Sequence, residues 1–292
     1  MARRRLYHRQ FPALALLLGL VLPLLAACTE EGELIRSYGP EQGSPQVRVL
    51  ILAGPDSHGP KAHEHRAGSQ LMARALHAQQ PGYVIDVVYG GWPVDESLFD
   101  GVDTVVIYCD GGSGHMIIDQ LPKFTDLLDD DVGVVMLHYA VEVPKGSESA
   151  TQVLRAIGGF FETHWSVNPH WEARFTDLPQ HPVTSGVAPF DMLDEWYFNM
   201  RFVPDMAGVT PILSAVPPPE TMKRRDGLHS GNKAVRAMVA AGQSQVVAWV
   251  YERPEGGRGV GDTGGHFHAN WGNDNALQLV LNAIIWTAEG HR

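Results

Sequence analysis

The chain has 292 residues, 44% of them hydrophobic, and a formal charge of −11 at pH 7. That length suits one large domain with ample material for a core. So acidic a balance, with Lys223-Arg224-Arg225 as the one locally basic run, argues against nucleic-acid binding.

Residues 1–27 read as a secretory signal. Arg3, Arg4, Arg5 and Arg9 form a basic start, Phe11 to Leu25 is apolar, and Leu25-Ala-Ala-Cys28 has the form of a lipobox. In a bacterial lipoprotein Cys28 would be lipidated and become the new N-terminus. This predicts an exported protein, lipid-anchored in the cell envelope and facing the periplasm or lying on the outer membrane. The apolar run is short for a membrane span of about 20 residues, and a lipid anchor tethers without spanning. Residues 28–46 carry Gly, Ser, Pro and acids with no apolar period, and read as a flexible tether. A single domain is then expected over residues 47–289. With Cys28 lipidated, Cys109 is the one thiol left, so no intrachain disulfide is possible.

Val47 to Ala53 is a continuous apolar run, as in a parallel strand buried on both faces. Ala62 to Gln79 has helical spacing. Tyr83 to Tyr89, Thr104 to Cys109 and Val132 to His138 read as further strands, with a helix from Met116 to Leu128 joining the last two. Strands alternating with helices imply βαβ units and a mostly parallel sheet. After Phe160 the pattern changes. Trp171 to Phe175, Trp196 to Phe202, Pro211 to Val216 and Val246 to Tyr251 read as strands with few helices between them, an antiparallel addition or a β-rich lobe. Residues 217–233 read as a long surface loop. Arg258 to Gly265 reads as a last inner strand, and Asn275 to Glu289 as a closing amphipathic helix.

Two histidines close strand-like runs: His138 in Val132-Gly-Val-Val-Met-Leu-His-Tyr-Ala140, and His266 in Gly264-Gly-His-Phe-His268. Ligands of open α/β sheets bind beyond the carboxyl ends of the strands, so both belong to a candidate site. Together with Ser57-His-Gly-Pro60, His63-Glu-His65, Asp110-Gly-Gly-Ser-Gly-His115, Leu137-His-Tyr-Ala140, Gly264-Gly-His-Phe-His-Ala-Asn-Trp271 and Leu281-Asn-Ala-Ile-Ile-Trp-Thr287, the chain resembles the ThuA-like (trehalose utilisation) family over nearly all of its expected folded part. The resemblance implies a flavodoxin-like sheet of the class I glutamine amidotransferase superfamily. It also implies a link to carbohydrate catabolism, with a sugar or keto-sugar substrate and sugar oxidoreductases of the same pathway as partners.

That superfamily places a cysteine on the turn after a central strand. Here the turn reads Leu137-His-Tyr-Ala-Val-Glu142, with neither Cys nor Ser. Thiol-based acyl transfer needs the thiol, so glutamine hydrolysis is not expected. His138 and His266, with Glu142, become candidate acid/base groups, because imidazole moves protons near neutral pH. His115, Tyr139, Glu195, His268, Asn270 and Trp271 are candidate substrate contacts, with Trp271 a platform for a sugar face. His58, His63 and His65 are candidate ligands of a divalent metal, zinc, manganese or iron, with His138 and His266 as further ligands. His63 and His65 point apart if both are helical, so at most one of them then faces the site. Helix capping and pocket lining explain these residues about as well as a metal does. The glycine-rich turn at Asp110 lacks a P-loop ending, so no nucleotide is expected. Two functions from different classes remain: an enzyme acting on a sugar or keto-sugar by His-based acid/base or metal-assisted chemistry, and a non-catalytic carbohydrate-binding or accessory subunit.

Overall fold

A computed structural model describes residues 32–40 and 47–290. The signal sequence and Cys28 lie outside the described residues. In chain order the elements are β1 (Glu33–Tyr38), β2 (Val47–Ala53), α1 (His65–Gln79), β3 (Tyr83–Tyr89), β4 (Thr104–Tyr108), α2 (Leu121–Asp129), β5 (Gly133–Leu137), α3 (Glu148–Ile157), β6 (Gly159–Phe160) and β7 (Trp171–Phe175). Then come β8 (Phe190–Asp194), β9 (Arg201–Phe202), β10 (Val209–Ala215), α4 (Lys233–Ala240), β11 (Gln245–Glu252), β12 (Arg258–Asp262) and α5 (Asp274–Glu289).

Eight strands form one sheet in the order β1-β3-β2-β4-β5-β12-β11-β10. The central five, β3, β2, β4, β5 and β12, are parallel, and β1, β11 and β10 add antiparallel edges. The parallel order is that of a flavodoxin-like sheet, whose chain direction reverses beside its first strand, here β2. Alternate residues of β2 feed two cores: Val49 and Ile51 join one, Leu50 and Leu52 the other. A strand covered on both faces therefore shows no polar alternation. Helices α1 and α5 contribute Met72, Leu76, Leu281 and Ile284 to the first core, and α2 and α3 contribute Phe124, Leu127 and Val153 to the second. Each of the two expectations for the late β-rich part holds for some of its strands. Strands β10 and β11 extend the main sheet, while β7–β8 and β6–β9 make small separate ladders.

Two readings of the sequence need correction. Residues 33–38, taken as part of a tether, form β1 along the edge of β3. Their apolar period is broken by a register shift between Leu34 and Arg36, yet Ile35 and Tyr38 pack on the core. Residues 196–200 are not strand. Trp196, Tyr197 and Phe198 are consecutive and all buried, which a two-faced strand at a solvent boundary does not allow. Among the described residues no helix is long and apolar enough to cross a membrane.

Candidate functional site

The site is assembled at the carboxyl edge of four neighbouring parallel strands. The loop after β2 supplies Ser57, His58 and His63, and β4 is followed by Asp110. His138 follows β5, and His266 follows β12. The segment after β8 brings Glu195 and Tyr197 over them. His58, His63 and His138 all have positive φ, at 58°, 45° and 52°. Non-glycine residues seldom adopt that conformation, and it concentrates at functional sites.

One ligand atom each from His63, His138, Glu195 and His266 lies within 4.8 Å of all the others. His63 Nε2 is 2.9 Å from His266 Nδ1 and 3.0 Å from His138 Nε2. His266 Nδ1 is 3.3 Å from His138 Nε2 and 3.3 Å from a Glu195 oxygen. Glu195 reaches His138 Nε2 at 3.6 Å. The Tyr197 hydroxyl sits 3.3 Å from both His138 Nε2 and Glu195.

Hydrogen bonds behind the rings set the tautomers. His138 Nδ1 is 2.9 Å from the Thr263 carbonyl, which can only accept. His63 Nδ1 is 2.6 Å from the Asp110 carboxylate. Both rings therefore carry hydrogen on Nδ1 and turn an Nε2 lone pair toward the centre. Two lone pairs facing at 3.0 Å repel unless a proton or a cation lies between them. Burial first, then the neighbouring His63, holds the His138 pKa well below the ordinary imidazole value. A buried carboxylate, Asp194, fixes the loop that carries His266. It accepts from the backbone N–H of Gly265, His266 and Glu195, and from Asn270 Nδ2.

Beside Glu195 opens a cleft of about 620 Å³, lined by Asn168, His170, Glu172, Glu220, Thr221 and Arg224 among others. Glu195 is the member of the cluster that lines it. His170 Nε2 is 3.8 Å from Glu195, and the His170 ring lies 4.9 Å from His266.

The family model for ThuA, trehalose utilisation, matches residues 48–287. The chain belongs to the ThuA family. Its fold is similar to that of a ThuA-like protein from Bacteroides uniformis, with a TM-score of 0.55 at 17% identity, over 84% of this chain and 93% of that one. A ThuA-like protein from Parabacteroides merdae gives a TM-score of 0.55 at 17% identity, over 85% and 91%. No curated protein matches the chain.

Within this ThuA domain, the predicted site residues separate into three groups. His63, His138 and His266 converge, and Glu195, expected as a substrate contact, joins them. His58 and His65 flank Asp110 instead. The rest serve the scaffold or a neighbouring wall. Glu142 is outside the cluster, and its buried carboxylate accepts from His229 Nε2 at 2.9 Å. Tyr139 is half-buried near His58, and burial raises its pKa to about 12. His115 is buried, bonded to the Ala140 carbonyl, and pushed by burial to a pKa of about 4. It spans backbone at Ala140 and Ile117 rather than offering a contact to a substrate. Asn270 bonds Leu193 and Asp194. His268 lies in a separate groove with Arg36 and Arg74. Trp271 is buried edge-on against Tyr108, so it has no free face for a sugar. Cys109 is buried, and burial raises its thiol to about 12, far from a reactive thiolate.

Asp110, Tyr197, His170 and His229 are functional candidates that sequence reasoning passed over. Only Asp110 carried a local signal, as the first residue of a glycine-rich turn after β4. There Gly111 packs so closely under Tyr139 that a Cβ would overlap its carbonyl.

Proposed function

We propose that His63, His138, His266 and Glu195 hold a divalent metal ion, and that this centre acts on a neutral sugar or keto-sugar entering by the cleft beside Glu195. The carrying observation is the spacing of the donor atoms. Metal–nitrogen bonds of about 2.0–2.1 Å place neighbouring ligands about 2.8–3.0 Å apart at the corners of an octahedron and about 3.3–3.4 Å apart at those of a tetrahedron. Five of the cluster's six separations run from 2.9 to 3.6 Å, and the sixth, between His63 and Glu195, is bounded by 4.8 Å. A cation also removes the conflict between the His63 and His138 lone pairs. Three imidazoles and a carboxylate suit zinc, manganese or iron. Such an ion polarises a sugar carbonyl or lowers the pKa of a bound water. Tyr197, which touches both Glu195 and His138, is placed to hand a proton to or from the substrate. Membership of a trehalose-utilisation family supports a carbohydrate substrate. The lipobox at Cys28 supports action in the cell envelope.

The test is metal analysis of the purified chain, followed by assays on glucosides and 3-keto-glucosides. Bound divalent metal that survives dialysis is expected, with turnover lost on chelation and restored by metal. Its removal in both His138→Ala and Glu195→Gln, with folding intact, supports the centre. A wild-type chain that takes up no metal overturns it. Metal and sugar binding without turnover would favour an accessory subunit.

A further inference from the structure

A groove of about 450 Å³ runs along the flank between β1 and α1. It is lined by Arg36 and Tyr38 from β1, by Ala67, Gln70, Leu71 and Arg74 from α1, and by His268. Arg36 and Tyr38 stand two residues apart and share a face of the strand. The four helical residues follow the spacing of a single stripe along α1. No carboxylate lines the groove, although the chain carries 33 acidic residues against 22 Lys and Arg. Arg36 and Arg74 are exposed, and neither is in an ion pair among the described residues. Arg36 lies over the Tyr38 ring, 5.9 Å from its centre. His268 adds a buried Nδ1 with no hydrogen-bond partner, and the Glu64 carboxylate stands 3.8 Å from it.

Two guanidiniums without acid partners in one groove suit an anion, and the guanidinium fork matches the oxygens of a phosphate. Between the charged positions the lining is apolar, with Ala67, Leu71 and the Tyr38 ring. A bare phosphate leaves that surface unused, whereas the glycerol of a phospholipid covers it. The groove's place in the chain names the source. Strand β1 begins at Glu33, five residues after Cys28. Five residues span at most about 18 Å when fully extended. A lipid on Cys28 therefore holds the start of β1 close to a bilayer, and Arg36 follows three residues later. A groove tethered so closely needs little affinity of its own, because the tether sets a high effective concentration. The chain as a whole is acidic and is repelled by an anionic bilayer, so attraction confined to this flank also sets the domain's orientation.

We propose that this groove takes the phosphate headgroup of an anionic phospholipid in the bilayer that holds Cys28, and so fixes which flank of the domain faces the membrane. The proposal rests on the reading of Cys28 as the anchor and is independent of the metal centre. Arg36 and Arg74 hold the phosphate oxygens, Gln70 and His268 offer further polar contacts, and the apolar stretch covers the glycerol. Because the attraction is between exposed charges, it weakens as salt rises.

Hydrogen–deuterium exchange tests this on the chain expressed with residues 1–27 present, purified from membranes and reconstituted on vesicles. One set of vesicles is phosphatidylcholine alone, and the other is phosphatidylcholine mixed with phosphatidylglycerol. Exchange over residues 33–38 is expected to slow roughly threefold or more on the mixed vesicles. The slowing is expected to vanish in the double variant Arg36→Gln/Arg74→Gln, which changes two exposed side chains and leaves the core untouched. Equal exchange on both vesicles, or slowing that persists in the double variant, would overturn the proposal. Inorganic phosphate added to the phosphatidylcholine sample separates the sources. If it slowed exchange as much as phosphatidylglycerol does, the groove would be a site for free phosphate and the lipid assignment would fall. A chain that leaves phosphatidylcholine vesicles yet stays on mixed ones through the two arginines would overturn the anchor at Cys28 and support the headgroup site.

Discussion

Asp262 shows at residue scale what the site's neighbourhood costs. It ends β12 and faces a small apolar cavity lined by Phe190, Met192, Trp196 and Leu213. Burial, partly offset by the Gly264 N–H, raises its pKa to about 7. The folded chain therefore holds this proton more tightly than the unfolded chain, whose aspartate titrates near 3.9. Stability is full below the unfolded value, falls as pH climbs toward 7, and stays reduced above it. Asp262→Asn keeps the acceptor for Gly264 and cannot ionise. We expect it to raise Tm by roughly 4 °C at pH 8, at about 2–4 °C per kcal/mol for a domain of this size, and by little at pH 4. Thermal melts across that range check it, and an equal shift at both ends would refute the burial argument.

At the scale of elements, the loop from Pro217 to Asn232 is the cover of the cleft. It brings Pro218, Glu220, Thr221 and Arg224 to the lining. Backbone bonds from His164 to Leu228 and from Asn168 to His229, and the Arg236 side chain on Asp226, hold it down, and two side-chain pairs fasten it to the walls of the cleft. Arg224 bonds Asn168, and His229 donates to Glu142 from across the site. The Glu142 hydrogen bond raises the His229 pKa against the opposing effect of burial, while Arg224 lowers it and Glu195 adds a smaller upward pull. The His229–Glu142 pair is thus at full strength below the ordinary histidine value and is lost as pH rises through the raised one. Trypsin should cut the exposed Lys223-Arg224-Arg225 run faster at pH 8.5 than at pH 6, after correction against an unstructured peptide. His229→Gln should abolish that difference. Cleavage that stays pH-independent in wild type would show that the pair does not fasten the loop.

Elements were legible where their chemistry is local. The strands β2, β3, β4 and β5 are short apolar runs, and α5 has one continuous apolar face, so burial alone marks them. Helix α3 carries its own ends, with Ser147 capping Ala150 and Gly158 in the left-handed conformation, yet it is not among the helices expected from the sequence. The site was only half legible. His138 and His266 could be placed because each ends a strand, and strand ends share an edge. Glu195 and Tyr197 reach that edge from a segment with no regular period, so nothing near them in sequence shows which way they face. Glu142 failed for the same reason in reverse. It is four residues from His138, but the tight turn between them carries its carboxylate to His229 instead.

For the whole molecule, the decisive feature is where the sheet ends. The sequence suggests a folded part from Val47, yet β1 closes the sheet's edge against β3 from Glu33 to Tyr38. Without β1, the strand Tyr83–Tyr89 becomes an edge rich in Val, Ile and Tyr, and such edges pair with other chains. Asp86, buried on β3, would also lose the Ser37 hydroxyl that now donates to it at 2.5 Å, keeping only Arg48 at 4.0 Å. A chain begun at Val47 should therefore melt several degrees lower than one begun at Thr29, and should associate with rising concentration in light scattering. The proposed metal centre lies at the carboxyl ends of β2, β4, β5 and β12, away from that edge, so the remaining unassociated protein should still take up metal. If the shorter chain matched the longer one in both Tm and scattering, β1 would be an ornament on the edge rather than its cover.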